Sequence, residues 1–168
     1  MAETIRTIEA APEEWPDTIA PAWVWQRIES WCSTRWTPRE VVWLIQGEGE
    51  WTPPLTPATI TTVESWAGAW GASAAGVSPF GTVALRGDSH RVTAIVGADN
   101  PAPAAVIEAA RRLTAYAESA GGENPAHSSY SASVGPIREE TRREAHALPQ
   151  MLQNSGAADL LRPYRKAR

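Results

Sequence analysis

The segment WVWQRIESWCSTRW, residues 23–36, sets Val24, Trp25, Ile28, Trp31, Cys32 and Trp36 against Gln26, Arg27, Glu29, Ser30, Ser33, Thr34 and Arg35. Apolar positions recurring at three- and four-residue intervals mark one face of a helix, so 23–36 is expected to be helical with that stripe inward. The next stretch pulls two ways. Thr37-Pro38-Arg39-Glu40 has the letters of a capping box with proline at the first helical position, which favours a helix. The run VVWLI, residues 41–45, is β-branched and aromatic and stops at the glycines of GEGE, which suits a buried strand. Strand is the expectation for about residues 40–46. Three more strands are expected. In 58–66 Ile60, Thr62 and Glu64 alternate with Thr61, Val63 and Ser65; 82–86 reads TVALR; in 90–96 Val92, Ala94 and Val96 alternate with Arg91, Thr93 and Ile95.

A second helix is expected over 103–119. Turn chemistry at Asn100-Pro101 and Pro103 precedes Val106, Ala109, Ala110, Leu113 and Tyr116 at helical spacing, and Gly121-Gly122 ends it. Residues 121–136 are polar and turn-rich, an ordered excursion or a mobile loop. The charged stretch after them places Glu139 and Glu140 among arginines on a solvated helical face. LPQMLQNSGAADLL then brings two short apolar helical turns broken by Gly156. The first twenty-odd residues hold several prolines and no sustained period. The fold class that follows is α+β: a small antiparallel sheet packed against two main helices. An extended N-terminal arm covers residues 1–22, an α+β body 23–120, and a loop, short helices and an extended C-terminal tail 121–168.

Composition adds two points. Nine Trp stand against a single Phe, with most of them between Trp15 and Trp51. Trp25, Trp31, Trp36 and Trp43 can fill a core that is short of Phe, because buried Trp supplies large apolar area. Trp15 and Trp51, both close to proline, are instead candidates for contacts between subunits, where Trp is enriched. The second point is charge. Residues 1–66 carry ten acidic and four basic side chains, net −6, whereas residues 138–168 carry four and seven, net +3. Arg162, Arg165, Lys166 and Arg168 crowd the last seven positions with no acid after Asp159. An acidic front and a basic end imply two different contact surfaces.

Candidate chemistry is sparse. His90, His127 and His146 lie in three contexts without metal-ligand spacing, and they are read as solvated. The lone Cys32 falls on the apolar stripe of a helix and reads as a core thiol, since a reactive cysteine needs an electropositive, accessible setting. No stretch has the basic start and apolar run of a signal peptide, and none reaches the ~18 apolar residues of a membrane span. The expectation is a non-enzymatic protein without cofactor or metal.

Two stretches carry a family likeness. In HRVTAIVGADNPAPAAVIEAARRLTAYAE a strand ends in Val-Gly, a proline-containing linker follows, and a helix presents Ala109, Leu113 and Tyr116; the chain then closes on LLRPYRKAR. With the Trp-rich helix and the strands between, this order resembles the head–tail connector (adaptor) family of long-tailed bacteriophages and gene transfer agents. The family's members usually begin with a longer pair of helices and an acidic motif, where this chain has a proline-rich arm and one helix.

The resemblance implies a structural virion protein at the capsid–tail junction. It implies a ring of identical subunits, commonly twelve, beneath the portal protein and above a head-closure or stopper protein, with duplex DNA passing through the lumen. It assigns portal binding to Leu160, Leu161, Arg162, Pro163, Tyr164, Arg165, Lys166 and Arg168. The rival reading is a small DNA-binding protein whose basic C-terminal region meets phosphates.

Overall fold

The structure, a computed structural model, describes residues 1–121, 129–134, 137–142 and 150–165, with backbone alone for 120–121, 129–134 and 137–142. The chain divides into two units, one made of Met1–Pro16 and Glu29–Ala102, the other of Asp17–Ile28 and Pro103–Arg165. The whole is α+β: an antiparallel sheet of five strands plus helices.

In the first unit, β1 (Glu3–Glu9) pairs with β2 (Arg39–Gln46), so the N-terminal segment is not the irregular arm its sequence suggests. The reason it was hidden is physical. β1 lies at the edge of the sheet, and Ile5, Arg6, Thr7 and Ile8 all remain exposed, so there is no buried face to impose an apolar period. In β2 the strand reading prevails over the capping box: Arg39, Val41, Trp43 and Ile45 are buried, while Glu40 and Gln46 are exposed. The Thr37 hydroxyl that would have capped a helix accepts a hydrogen bond from Arg39 Nη2 at 2.8 Å instead.

Three further strands of the main sheet and a two-stranded ribbon follow. β3 (Gly49–Trp51) is followed by β4 (Ala58–Trp66) and β5 (Trp70–Ala72), then β6 (Val83–Leu85) and β7 (Ser89–Val96). The main sheet runs β1-β2-β7-β4-β5, and every pair is antiparallel. β6, expected in this sheet, forms a separate ribbon with β3. It has no place beside β7, because β2 and β4 already occupy both edges of that strand. The ribbon supplies Trp51, Val83 and Leu85 to a core shared with Val41, Trp43, Ile45, Val92, Ala94 and Val96. Trp43 and Trp51 meet edge to face, centroids 5.3 Å apart, a favoured geometry for indole pairs. At the end of β7, Gly97 has φ +76°, and a Cβ there would collide with the Thr37 carbonyl.

Helix α1 (Ala22–Cys32) runs across the boundary between the two units. It stops short of the expected residue 36 because Ser33 turns into the left-handed region, φ 55°, which ends a helix. Its stripe is inward as expected: Val24, Trp25, Ile28 and Cys32 are fully buried.

The second unit is built on α2 (Ala104–Gly121), where Val106, Ala109, Ala110 and Leu113 are buried. β8 (Ser129–Val134) and β9 (Ile137–Arg142) form an antiparallel hairpin where a loop and a charged helix were expected. Glu139 and Glu140 thus belong to a strand, opposite Ala132 and Ser131. Their segment has too little apolar contrast to reveal a period of two. The two expected helical turns are α3 (Met151–Asn154) and α4 (Ala157–Leu161), separated by Gly156 at φ 72°. Both pack on α2, burying Met151, Leu152, Ala157 and Leu161. A 3₁₀ turn, Arg162–Tyr164, continues from α4.

Candidate functional site

The C-terminal segment starts from a fixed base. Leu161 is fully buried at the end of α4, Leu160 is half-buried, and the 3₁₀ turn then brings Arg162, Pro163 and Arg165 to the surface with Tyr164 half-covered. The Arg165 amide donates to the Arg162 carbonyl at 3.3 Å, closing the turn. Leu161 therefore has no apolar surface to offer a partner while the segment is folded. The exposed chemistry of the described part is two guanidinium groups flanking Pro163 and Tyr164. Lys166 and Arg168 lie outside the described residues.

The two tryptophans proposed as subunit contacts separate. Trp51 is 4% exposed and is a core residue, so it is not an open anchor. Its indole N–H donates to Thr4 Oγ1 at 2.8 Å, tying β1 to the ribbon. Trp15 stays partly exposed, with the Arg39 guanidinium 5.3 Å from its ring centroid.

Beneath Trp15 lies a cluster that sequence reasoning missed. Arg35 donates to both carboxylate oxygens of Glu9, Nε at 2.5 Å and Nη2 at 2.8 Å. Arg39 Nη1 reaches Glu9 at 3.1 Å and its Nη2 reaches Glu29 at 2.7 Å. Glu29 Oε1 also accepts the Trp36 amide at 3.2 Å, and Arg35 Nη1 donates to the Glu29 carbonyl at 3.0 Å. Two cations and two carboxylates balance, and both arginines and Glu29 are buried. Burial pushes the Glu29 carboxyl above the usual carboxylate range, while the hydrogen bond and charge of Arg39, the Trp36 amide and the charge of Arg35 act in the opposite direction. A signal for Arg39 was present: it shares the phase of Val41, Trp43 and Ile45 along β2, so its side chain had to enter the core side. Its partners were not legible, because Glu9 is 30 residues away in sequence. With its carboxylates engaged by guanidinium and amide donors, the cluster works as a clamp.

On the other face of the sheet Arg91 binds Glu64 through Nε at 2.6 Å and Nη2 at 2.7 Å. These hydrogen bonds hold the Glu64 carboxyl below its ordinary value. Arg91 also lies 4.9 Å from the ring centroid of Trp70, which meets the half-exposed Trp66 edge to face at 5.2 Å. Phe80, 91% exposed, stands on a turn braced by the Ser78 hydroxyl, which accepts from the amides of Phe80 and Thr82 at 3.2 Å.

His90 is not solvated as expected. It is 1% exposed in β7, opposite Ile45 and Ser65, with Nε2 3.0 Å from the Gly87 carbonyl. The alternation of β7 explains this, since His90 falls in phase with Val92, Ala94 and Val96. His127 and His146 lie outside the described residues. Among the described residues no three His, Cys, Asp or Glu side chains group as metal ligands, and no helix is long and apolar enough to cross a membrane.

Comparison with models of known protein families, with curated proteins and with solved structures yields no match for this chain.

Proposed function

We propose that this protein is a head–tail connector of a tailed particle: a virion protein that forms a ring, of about twelve copies by family analogy, between the portal protein and a head-closure or stopper protein. The ring surrounds passing duplex DNA without reading its sequence, and the protein performs no catalysis. The observation that supports this reading is the build of the C-terminal segment. Leu161 is locked into the helical unit, and the next four residues present Arg162, Pro163 and Arg165 to solvent around a half-covered Tyr164. A rigid base followed by a stiff, cationic turn suits docking on an acidic pocket of a partner, because little chain entropy is lost and guanidinium groups pair geometrically with carboxylates.

The test is capture of the protein by the portal protein of its own particle. Chain ending at Leu161 keeps the buried anchor and loses the turn; it is expected to stay folded and to lose capture. Tyr164→Ala is expected to weaken capture by about 2 kcal/mol or more, against about 0–1 kcal/mol for neutralising one rim cation. Undiminished capture of the shortened chain overturns the proposal. Retention on duplex DNA with a log-linear salt slope, lost when Arg162, Arg165, Lys166 and Arg168 are neutralised, would favour the DNA-binding reading instead.

A further inference from the structure

We infer that the N-terminal arm, Met1–Pro16, is an exchangeable element that completes the sheet of a second copy of this chain. The inference rests on the self-assembly proposed above and gives that ring its subunit contact.

The first support is chain connectivity. Met1–Pro16 belongs to the same unit as Glu29–Ala102, yet the two are joined only through Asp17–Ile28, which belongs to the other unit. The arm is thus a separate piece of the body it completes. Asp17 anchors the next stretch to α1, its carbonyl accepting the Trp25 indole N–H at 3.2 Å, so the pivot falls at Trp15-Pro16. An arm attached in this way can fold onto its own body or onto an identical one without any other element moving.

The second support is the nature of the fastenings. β1 leaves Ile5 61% and Ile8 46% exposed, so apolar burial is not what holds it. It is held by polar, orientation-specific contacts. Thr4 accepts from Trp51, Glu9 fills the space between Arg35 and Arg39, and Trp15 covers the Arg39 guanidinium. The backbone of Met1 also rests against Gly47, where a Cβ would come within 2.7 Å of the Met1 carbonyl oxygen. Every receptor on this list lies in Glu29–Ala102. Without an arm, the body would keep two buried guanidinium groups against the single carboxylate of Glu29, a charge imbalance that demands an incoming carboxylate. Glu9 of another copy meets that demand identically.

The third support is directional. Arm and receptor are different surfaces of one chain, so each copy gives one arm and takes one, a head-to-tail contact that propagates and can close into a ring. Trp15 then becomes a residue between subunits, through its stacking on the arginine of a neighbour.

The experiment uses Ile8 and Val42, which are directly opposed in the β1–β2 pairing. Opposed residues on antiparallel strands sit about 4.5–5.5 Å apart at Cα, within disulfide range. Chains bearing Ile8→Cys alone and Val42→Cys alone, distinguished by size tags, are co-expressed, mildly oxidised and run without reductant; each variant expressed by itself controls for the native Cys32. The expected result is a covalent band containing one chain of each type, together with a multimeric ladder from the Ile8→Cys/Val42→Cys double variant. Sedimentation of the same samples reads assembly independently. A double variant that oxidises only within single chains, with no mixed band from the co-expressed pair, overturns the exchange. If assemblies sediment as rings in that case, the exchange alone fails and the proposed ring stands.

Discussion

Glu9 closes a two-oxygen ion pair on Arg35, a residue 26 positions further along the chain, and so fixes the end of an edge strand to the segment that follows the first helix. The contact joins parts of the sequence that share no periodicity. Its strength comes from burial, and burial makes its partners interdependent.

Arg39→Ala is expected to be among the most destabilising single changes. It leaves the 2% exposed Glu29 without its closest cation, and removing one partner of a buried pair costs about 3–5 kcal/mol. Replacing both residues, Glu29→Met with Arg39→Met, should recover most of that loss. Urea denaturation of the three variants measures it; a double variant as unstable as the single one contradicts the charge argument.

Glu29 also gives a signed pH effect. Its folded-state value is raised above the ordinary 4.5, so between those two values the folded protein binds more protons than the unfolded chain. Its contribution to stability therefore falls as pH rises through that window and levels off above it. Comparing the wild type with Glu29→Gln at a series of pH values from 4 upward, the wild type should lose stability relative to the variant as pH increases. A difference that is flat, or that grows in favour of the wild type, contradicts the burial argument.

Leu161→Ala should cost about 2–5 kcal/mol, the range for truncating a fully buried leucine, while Leu160→Ala should cost less because that side chain is half-buried. Truncation after Asp159 removes both, and it should destabilise the helical unit rather than trim a loose end. Thermal unfolding of these variants beside the chain ending at Leu161 checks the order.

Gly97→Ala is expected to destabilise by more than ~1 kcal/mol. The positive φ penalises any L side chain, and the added methyl would press on the Thr37 carbonyl, which is backbone and has no rotamer to yield. Gly68→Ala shares the positive φ but meets open space, so it should cost less. Melting temperatures of the pair separate strain from collision.

Much of the architecture was written in local patterns. β7 was legible because alternation is imposed where one face is buried, and α2 because Val106, Ala109, Ala110 and Leu113 meet one core. β4 was legible as a strand but not in its phase: its register shifts between Ile60 and Thr62, so Ile60 and Val63, not Ile60, Thr62 and Glu64, pack on the core. β1 and the β8–β9 hairpin were not, since an edge strand and a polar two-stranded ribbon place little constraint on side-chain type. Within the candidate site, the cationic run of Arg162 and Arg165 could be read directly. The burial of Leu161 beside it could not, because the short α4 acquires its inward face only by packing on α2 and α3. The cluster around Arg39 was half legible: strand phase pointed the arginine inward, but nothing local named Glu9 or Glu29.

The placement of β7 between β2 and β4 has a consequence for synthesis. Ser89–Val96 is the common neighbour of both strands, so a nascent chain that has emerged only as far as residue 88 holds no central strand. Until then the sheet side of VVWLI can find only β1, and β4 has no main-sheet neighbour except the three-residue β5. The chain must leave the ribosome as far as Val96 before the first unit can lock. The pairing that locks it spans about fifty residues of sequence, which makes for slow closure and leaves an apolar, tryptophan-bearing strand uncovered in the interval.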